Sequence, residues 1–218
     1  MNNHDFIIRR EIENDYRDVE NLAREAFWNL SEPGCFEHYF IHIMRSHPDF
    51  IPELDFVAEL DGKIIGSVMY CKSKLVDEQG CVKDIVTMGP LCVLPEFQRR
   101  GIGKALLEHT FALAKDMGYD VVVNFGNPDN YVARGYRSCK KYNVCFGDGV
   151  FPAALLVKEL TDGALDGRKW SYRPSDVDAP CDDKDAVSAF DALFPPKEKG
   201  WQPSQEEFYI HSHSAITW

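Results

Sequence analysis

Two rhythms alternate along the chain. Short apolar runs rich in β-branched residues, FIIRR (6–10), FVAEL (56–60), YDVVVNF (119–125) and AALLVKEL (153–160), read as strands. Elsewhere apolar residues recur every three or four positions. Tyr16, Val19, Leu22, Ala23, Ala26 and Phe27 mark one helical face, with Asn14 or Asp15 as its cap. SEPG (31–34) breaks that helix, and CFEHYFIHIMRSH predicts a second one ending before Pro48. KIIGSVMYCKSKLV follows FVAEL across Asp61-Gly62, which predicts a hairpin. VKDIVTMGPLCVLP (82–95) predicts a long strand with a bulge or bend at Gly89-Pro90. A helix follows Gly101, with Ile102, Leu106, Leu107, Thr110, Leu113, Ala114 and Met117 on one face and Gly118 at its end. GNPDNYVARGY (126–136) predicts a turn and a short helix. This order predicts an α/β (α+β) chain with a mixed central sheet flanked by helices.

The pattern changes after Leu160. Residues 161–218 hold many prolines, an acidic cluster from Asp176 to Asp185, and the aromatics Trp170, Tyr172, Phe190, Phe194, Trp201, Phe208 and Tyr209. Such rings favour a buried partner surface. The expectation is a domain over 1–160 and an extension over 161–218 packed on it. A contact between two copies is a second place for the rings, so a homodimer is compatible.

Composition narrows the function. At 44% hydrophobic, 218 residues are enough for a real core. A net charge of -11 argues against a sequence-independent nucleic-acid binder, which needs a basic face. No apolar run reaches the length of a membrane span. The N-terminal residues lack a signal layout, and the seven cysteines are scattered without a C-x-x-C pair, which reads as reduced thiols in a cytoplasmic protein.

Against that acidic background, Gln98-Arg99-Arg100-Gly101-Ile102-Gly103-Lys104 concentrates positive charge and glycine at a strand-to-helix junction. A P-loop would need glycine at Gln98 and Ser or Thr at Ala105, and a dinucleotide fingerprint would need glycine at Leu106. Neither fits. What remains is [QR]-x-x-G-x-G. Glycines at 101 and 103 let the backbone approach a pyrophosphate, and the first helical turn supplies free amides.

This stretch, with GPLCVLPEFQ before it, resembles the acetyl-coenzyme A signature of the GNAT N-acetyltransferase superfamily, over residues 6 to about 160. The resemblance implies that the fourth strand splays from the next and opens a cleft. It implies that acetyl-CoA is the acyl donor, held by Gln98, Arg99, Arg100, Gly101, Ile102, Gly103 and Lys104, with backbone groups at Leu91, Cys92 and Val93 pairing with pantetheine and polarising the thioester. Tyr131, in Tyr131-x-x-x-Gly135-Tyr136, stands where many members carry the acid that protonates the thiolate; here the aromatic after the glycine is Tyr instead of Phe. Asn127 and Asn130 either bond pantetheine or its phosphates or shape the turn, and the role of Arg134 is open. The expected reaction is direct attack of a primary amine in a ternary complex, with no metal. A catalytically weak acyl-CoA sensor and a transferase for longer acyl groups are the alternatives.

Other groups point less far. Asp84 and Glu59 are candidate bases that read equally as solvated edge carboxylates. Cys92 reads as a small core residue. His38 and His42 read as surface or cleft-lining residues, His211-Ser212-His213 as a polar tail, and Asp176 to Asp185 as a solvated loop, not a calcium loop.

Overall fold

A long strand organises the molecule. The computed structural model describes residues 6–147 and 149–217. At its centre is β3 (Lys63–Asp77), the second arm of the predicted hairpin, antiparallel to β2 (Phe56–Leu60) on one side and to β4 (Val82–Val93) on the other. β1 (Ile7–Arg10) pairs with β2, and β5 (Val121–Phe125) runs parallel to β4. β8 (Leu155–Glu159) pairs with β5, and the two-residue β6 (Arg137–Ser138) pairs with β8. The sheet is mixed, in the order β1-β2-β3-β4-β5-β8-β6.

Two irregularities open it. Val68 pairs with Leu91, but Tyr70 pairs with Met88, so Gly89 and Pro90 together face Met69 as a bulge. β4 and β5 pair only through Val86–Val122 and Thr87–Val123. Beyond Thr87, β4 keeps β3 and loses β5. The two strands fork, as expected.

Helix α3 (Ile102–Asp116) covers one face, burying Ile102, Leu106, Leu107, Thr110 and Ala114. Met117, placed on that face by its spacing, lies past the last helical residue and is 42% exposed. Gly66 brings the helix close: a Cβ there would lie 2.9 Å from Ile102 Cγ2. Tyr70, four residues along β3, bonds the Thr110 hydroxyl at 2.7 Å from the same face. Helix α1 (Tyr16–Phe27) and helix α2 (Glu37–Met44) pack together on the opposite face, where α1 faces Ile64 and Leu94 across a cavity. Val19, Leu22 and Ala23 are buried as their spacing implies, but so are Glu20 and Arg24. Asp15 does not cap α1; its carboxylate accepts from the Ile12 amide at 2.9 Å and from Arg9 Nη2 at 2.9 Å.

Residues after Leu160 enter the sheet. β9 (Trp170–Arg173) pairs with Lys74–Asp77 of β3 and, in parallel, with β7 (Val144–Phe146). Helix α5 (Lys184–Asp191) lies on α2, with the Phe190 ring 4.6 Å from His42 and 5.5 Å from His38. Helix α6 (Pro203–His213) is held at its two ends. Gln205 Nε2 donates to Asn29 O at 3.0 Å, and beyond the helix Ile216 N donates to Phe151 O at 2.8 Å. Trp170, Tyr172, Phe190 and Phe194 are buried, whereas Trp201, Phe208 and Tyr209 are exposed. Phe208 and Tyr209 depart from the expected burial because α6 buries only Gln205, and Trp201 departs from it in the stretch before that helix. Among the described residues no helix is long and apolar enough to cross a membrane.

Candidate active site

The fork and the start of α3 meet at one place. Leu94 N donates to Ile65 O at 3.0 Å, so by strand alternation Cys92 also turns its backbone toward β3. Leu91 and Val93 turn theirs away from β3, into the gap where β5 no longer pairs. Their side chains lie beneath Gly103, whose added Cβ would be 3.8 Å from both. The Cys92 side chain is buried, which pushes its thiol up, and it lies on the other face. These surroundings suit a core residue, not a nucleophile.

The loop from Pro95 to Gly101 carries the chain from β4 into α3. Gln98 Nε2 donates to the Val93 carbonyl at 3.1 Å and ties the loop to the strand. Arg99 has φ 60° and Gly101 φ 88°, so two left-handed residues bracket Arg100. A non-glycine residue there is strained by roughly 1–3 kcal/mol, and such strain recurs at ligand clamps among other places. The first intrahelical bond runs from Ala105 N to Gly101 O at 2.9 Å, leaving the amides of Ile102, Gly103 and Lys104 at the open end. Among the described residues neither Arg99 nor Arg100 has a carboxylate within ion-pair distance, and both are exposed. Lys104 reaches Glu108 at 3.6 Å, an exposed pair of little energetic weight.

Across the gap, Asn127 Oδ1 accepts from Asp129 N at 3.0 Å and caps the short helix α4 (Pro128–Tyr131). Asn130 N donates to the Asn127 carbonyl at 3.0 Å. Asn127 thus shapes the turn through its oxygen. Tyr131 packs edge-on against Tyr136, ring centres 5.6 Å apart. Burial pushes its phenol up to about 12, opposed by the Arg134 charge and by a hydrogen bond from Asn124.

Sequence reasoning passed over two residues here. Asn124 is 1% exposed, and its Oδ1 has no partner. Gly126 admits the Tyr131 ring, because a Cβ there would lie 2.6 Å from Tyr131 Cε2. Their signals were an asparagine inside a buried-type strand and the glycine that follows it.

The candidate bases lie elsewhere. Glu59 is bound by Arg9 Nε at 2.6 Å, and exposed Asp84 sits near the start of β4, roughly 23 Å of extended chain from Leu91. His38 is neither a surface nor a cleft-lining residue. It is fully buried, with Nδ1 3.4 Å from Cys35 Sγ and Nε2 3.2 Å from Asp191. Burial drives His38 down to about 4 and the Cys35 thiol up, which removes the base and the thiolate that cysteine chemistry would require. His213 stacks on Tyr209 at 4.1 Å within α6. His47, Asp49 and Asp176 gather where the tail crosses the segment after α2, but they bond to one another: Asp49 N donates to His47 Nδ1 at 3.1 Å, and His47 Nε2 lies 3.3 Å from Asp176. A cavity of about 530 Å³ lies between α1 and the β2–β3 turn, bounded also by Leu94, Pro95 and Glu96 where β4 leads into the loop. Its Glu25 and Glu96 are already paired, with Lys197 at 2.6 Å and Lys63 at 3.0 Å.

Known proteins resemble this chain in sequence and fold. The profile of the Acetyltransferase (GNAT) family matches residues 16–138. The uncharacterized N-acetyltransferase YhbS of Escherichia coli (strain K12) is 29% identical over 164 residues, covering 74% of this chain and 92% of its own length. A second relative from the same strain, the uncharacterized N-acetyltransferase YjhQ, is 23% identical over 159 residues, covering 73% and 81%. The crystal structure of Escherichia coli YhbS in complex with CoA superposes with TM-score 0.68 at 25% identity, over 79% of this chain and 91% of that one. A GNAT acetyltransferase from Brucella melitensis, solved with acetyl-CoA, shares the fold at TM-score 0.61 and 19% identity, over 79% and 97%.

Proposed function

The chain belongs to the acetyltransferase (GNAT) family, and from that premise we propose that it transfers the acetyl group of acetyl-CoA to a primary amine by direct attack in a ternary complex. One observation carries the reading. The described residues leave Arg99 and Arg100 without carboxylate partners, in the loop that joins the unpaired edge of β4 to the open end of α3.

The residues fit the donor. Amides at 102–104 and the two arginines suit a pyrophosphate. Gly103 lies over Leu91 and Val93, and the Leu91 backbone and the Val93 N–H, which face the gap left by β5, suit an amide-bearing pantetheine arm lying along β4; the Val93 carbonyl is held by Gln98. The orphan Asn124 oxygen offers a further acceptor beside Tyr131.

The chemistry follows from these placements. The amine nitrogen attacks the thioester carbon, a backbone N–H at Leu91 or Val93 stabilises the oxyanion, and the C–S bond then breaks. Tyr131 faces the departing sulfur. A phenol near 12 gives its proton to a thiolate of ordinary pKa about 8.5 only uphill, by about 5 kcal/mol. Tyr131 therefore acts first as a hydrogen-bond donor. The proton that ends on sulfur is resupplied through its hydroxyl by the ammonium formed on attack. Neutral amine enters from solution, since Glu59 is held by Arg9 and Asp84 lies at the far end of β4. Calorimetric binding of acetyl-CoA, together with thiol release in the presence of amines, tests the proposal. A folded protein that does neither would overturn it.

A further inference from the structure

We propose that Phe125 and Phe146 form an apolar wall of the acceptor site, and that the acceptor is a primary amine carrying an apolar or aromatic group near its nitrogen. This rests on the acetyl-transfer reading above.

Strand pairing fixes the face. Cys71 pairs with Thr87, Thr87 with Val123 and Leu75 with Tyr172, so Thr87, Val123, Phe125 and Tyr172 share the face opposite α3. Asn124 points to the α3 side, with Tyr131. Phe125 is thus the next residue after the group that bonds the candidate acid, but on the other side of the fork. On the α3 side the gap is bounded by the donor loop, by α3 and by the 126–136 turn. The second face is the remaining approach to the reacting carbon, and Phe125 stands at its rim.

That rim is apolar and open. Phe125 is 49% exposed and Phe146 38%, with ring centres 5.9 Å apart. Both rest on Tyr172, 6.2 Å from each and 2% exposed. The three rings are in direct edge-on or tilted contact and leave no gap between them, so the cluster offers a surface and not a cage. The polar groups at its base are neutral. The Tyr172 hydroxyl lies 2.6 Å from Thr87 Oγ1, which donates to Ser73 Oγ at 2.8 Å. Exposed paired phenylalanines beside a reaction site select an apolar group in the ligand.

The test compares phenethylamine with putrescine, using acetyl-CoA as donor, in the wild type, the F125A/F146A double variant and a F125L/F146L control. We expect wild type to favour phenethylamine at least 10-fold in kcat/KM. The alanine pair should lower that value about 10-fold, through KM, and the putrescine value by less, while acetyl-CoA affinity holds. The leucine pair should keep most of the preference. Calorimetric titration of phenethylamine into CoA-saturated protein gives a readout independent of turnover, and the alanine pair should weaken it similarly. A wild-type preference for putrescine, equal losses for both amines, or no phenethylamine binding would overturn the inference. Failure of acetyl-CoA itself to bind would instead strike the acetyl-transfer reading.

Discussion

The loop before α3 and the junction of α1, α2 and the tail are both rich in cations, and they treat them in opposite ways. At the junction Arg24, Arg45 and Lys197 have their partners built in. Arg24 Nε meets Asp191 at 2.6 Å, Arg45 meets Glu11 at 2.7 Å and Glu20 at 2.9 Å, and Lys197 meets Glu25 at 2.6 Å. In the loop, Arg99 and Arg100 stay in solvent with no such partner among the described residues. A paired, buried cation holds the fold together. An unpaired one at a helix N-terminus is left free for an anion that arrives from outside. Charge along the sequence does not separate the two cases; pairing in space does.

The comparison predicts that the two regions control different measurements. R99E/R100E should weaken acetyl-CoA binding at least about 100-fold by calorimetry, because two attractive charges become repulsive at the amide-lined end of α3. Both side chains are exposed, so the melting temperature should hold. Unchanged affinity would remove the loop from the donor site.

Next in size is Y131F, which keeps the ring and its contact with Tyr136. Turnover should fall roughly 10- to 10⁴-fold with acetyl-CoA affinity kept. Equal single-turnover rates in the two proteins would make Tyr131 a packing residue.

At the junction, D191A strands Arg24, which is nearly buried. The expected cost is about 3 kcal/mol, at the lower end for a broken buried pair because Asp191 is partly exposed. It should appear as a drop of roughly 6–12 °C in Tm, with acetyl-CoA affinity unchanged. A large loss of affinity without loss of Tm would erase the contrast between the regions.

The smallest effect expected is a flat one. Tyr131, raised to about 12, keeps its proton below that pH, so the phenol gives no falling limb between pH 7 and 10. With chemistry limiting, kcat/KM should rise over that range as the amine loses its proton. A descending limb centred below pH 10 would point to a different acid.

Much of this was readable before any coordinates, and the losses have physical causes. The long periodic elements α1, β3, β4 and α3 announced themselves because many residues repeat one pattern. Gly89-Pro90 announced its bulge because neither residue suits a regular ladder. Short β6, β7 and β9 hold too few residues for a period to show. His38 and Arg24 look like surface residues in sequence, since what buries them, Phe190, Phe194 and Asp191, lies some 150 residues later. At the site, the G-x-G loop is local and was legible. The partnership of Asn124, Gly126 and Tyr131 depends on a turn folding back, which no spacing rule states. Nor does sequence say that Cys92 turns its backbone to β3 while its two neighbours do not.

The placement of β9 bears on how the molecule is made. Lys74–Asp77 waits for Trp170–Arg173, almost a hundred residues downstream, before its second side is covered. During synthesis at about 5–20 residues per second, that edge stays open for several seconds, as an unpaired strand that can recruit another chain. Pairings this distant also slow folding, because the loop must close before the contact stabilises anything. A chain cut after Leu160 never covers this edge. It should collect in the insoluble fraction even where its donor loop is intact, and a chain extended only to Arg173 should recover much of its solubility.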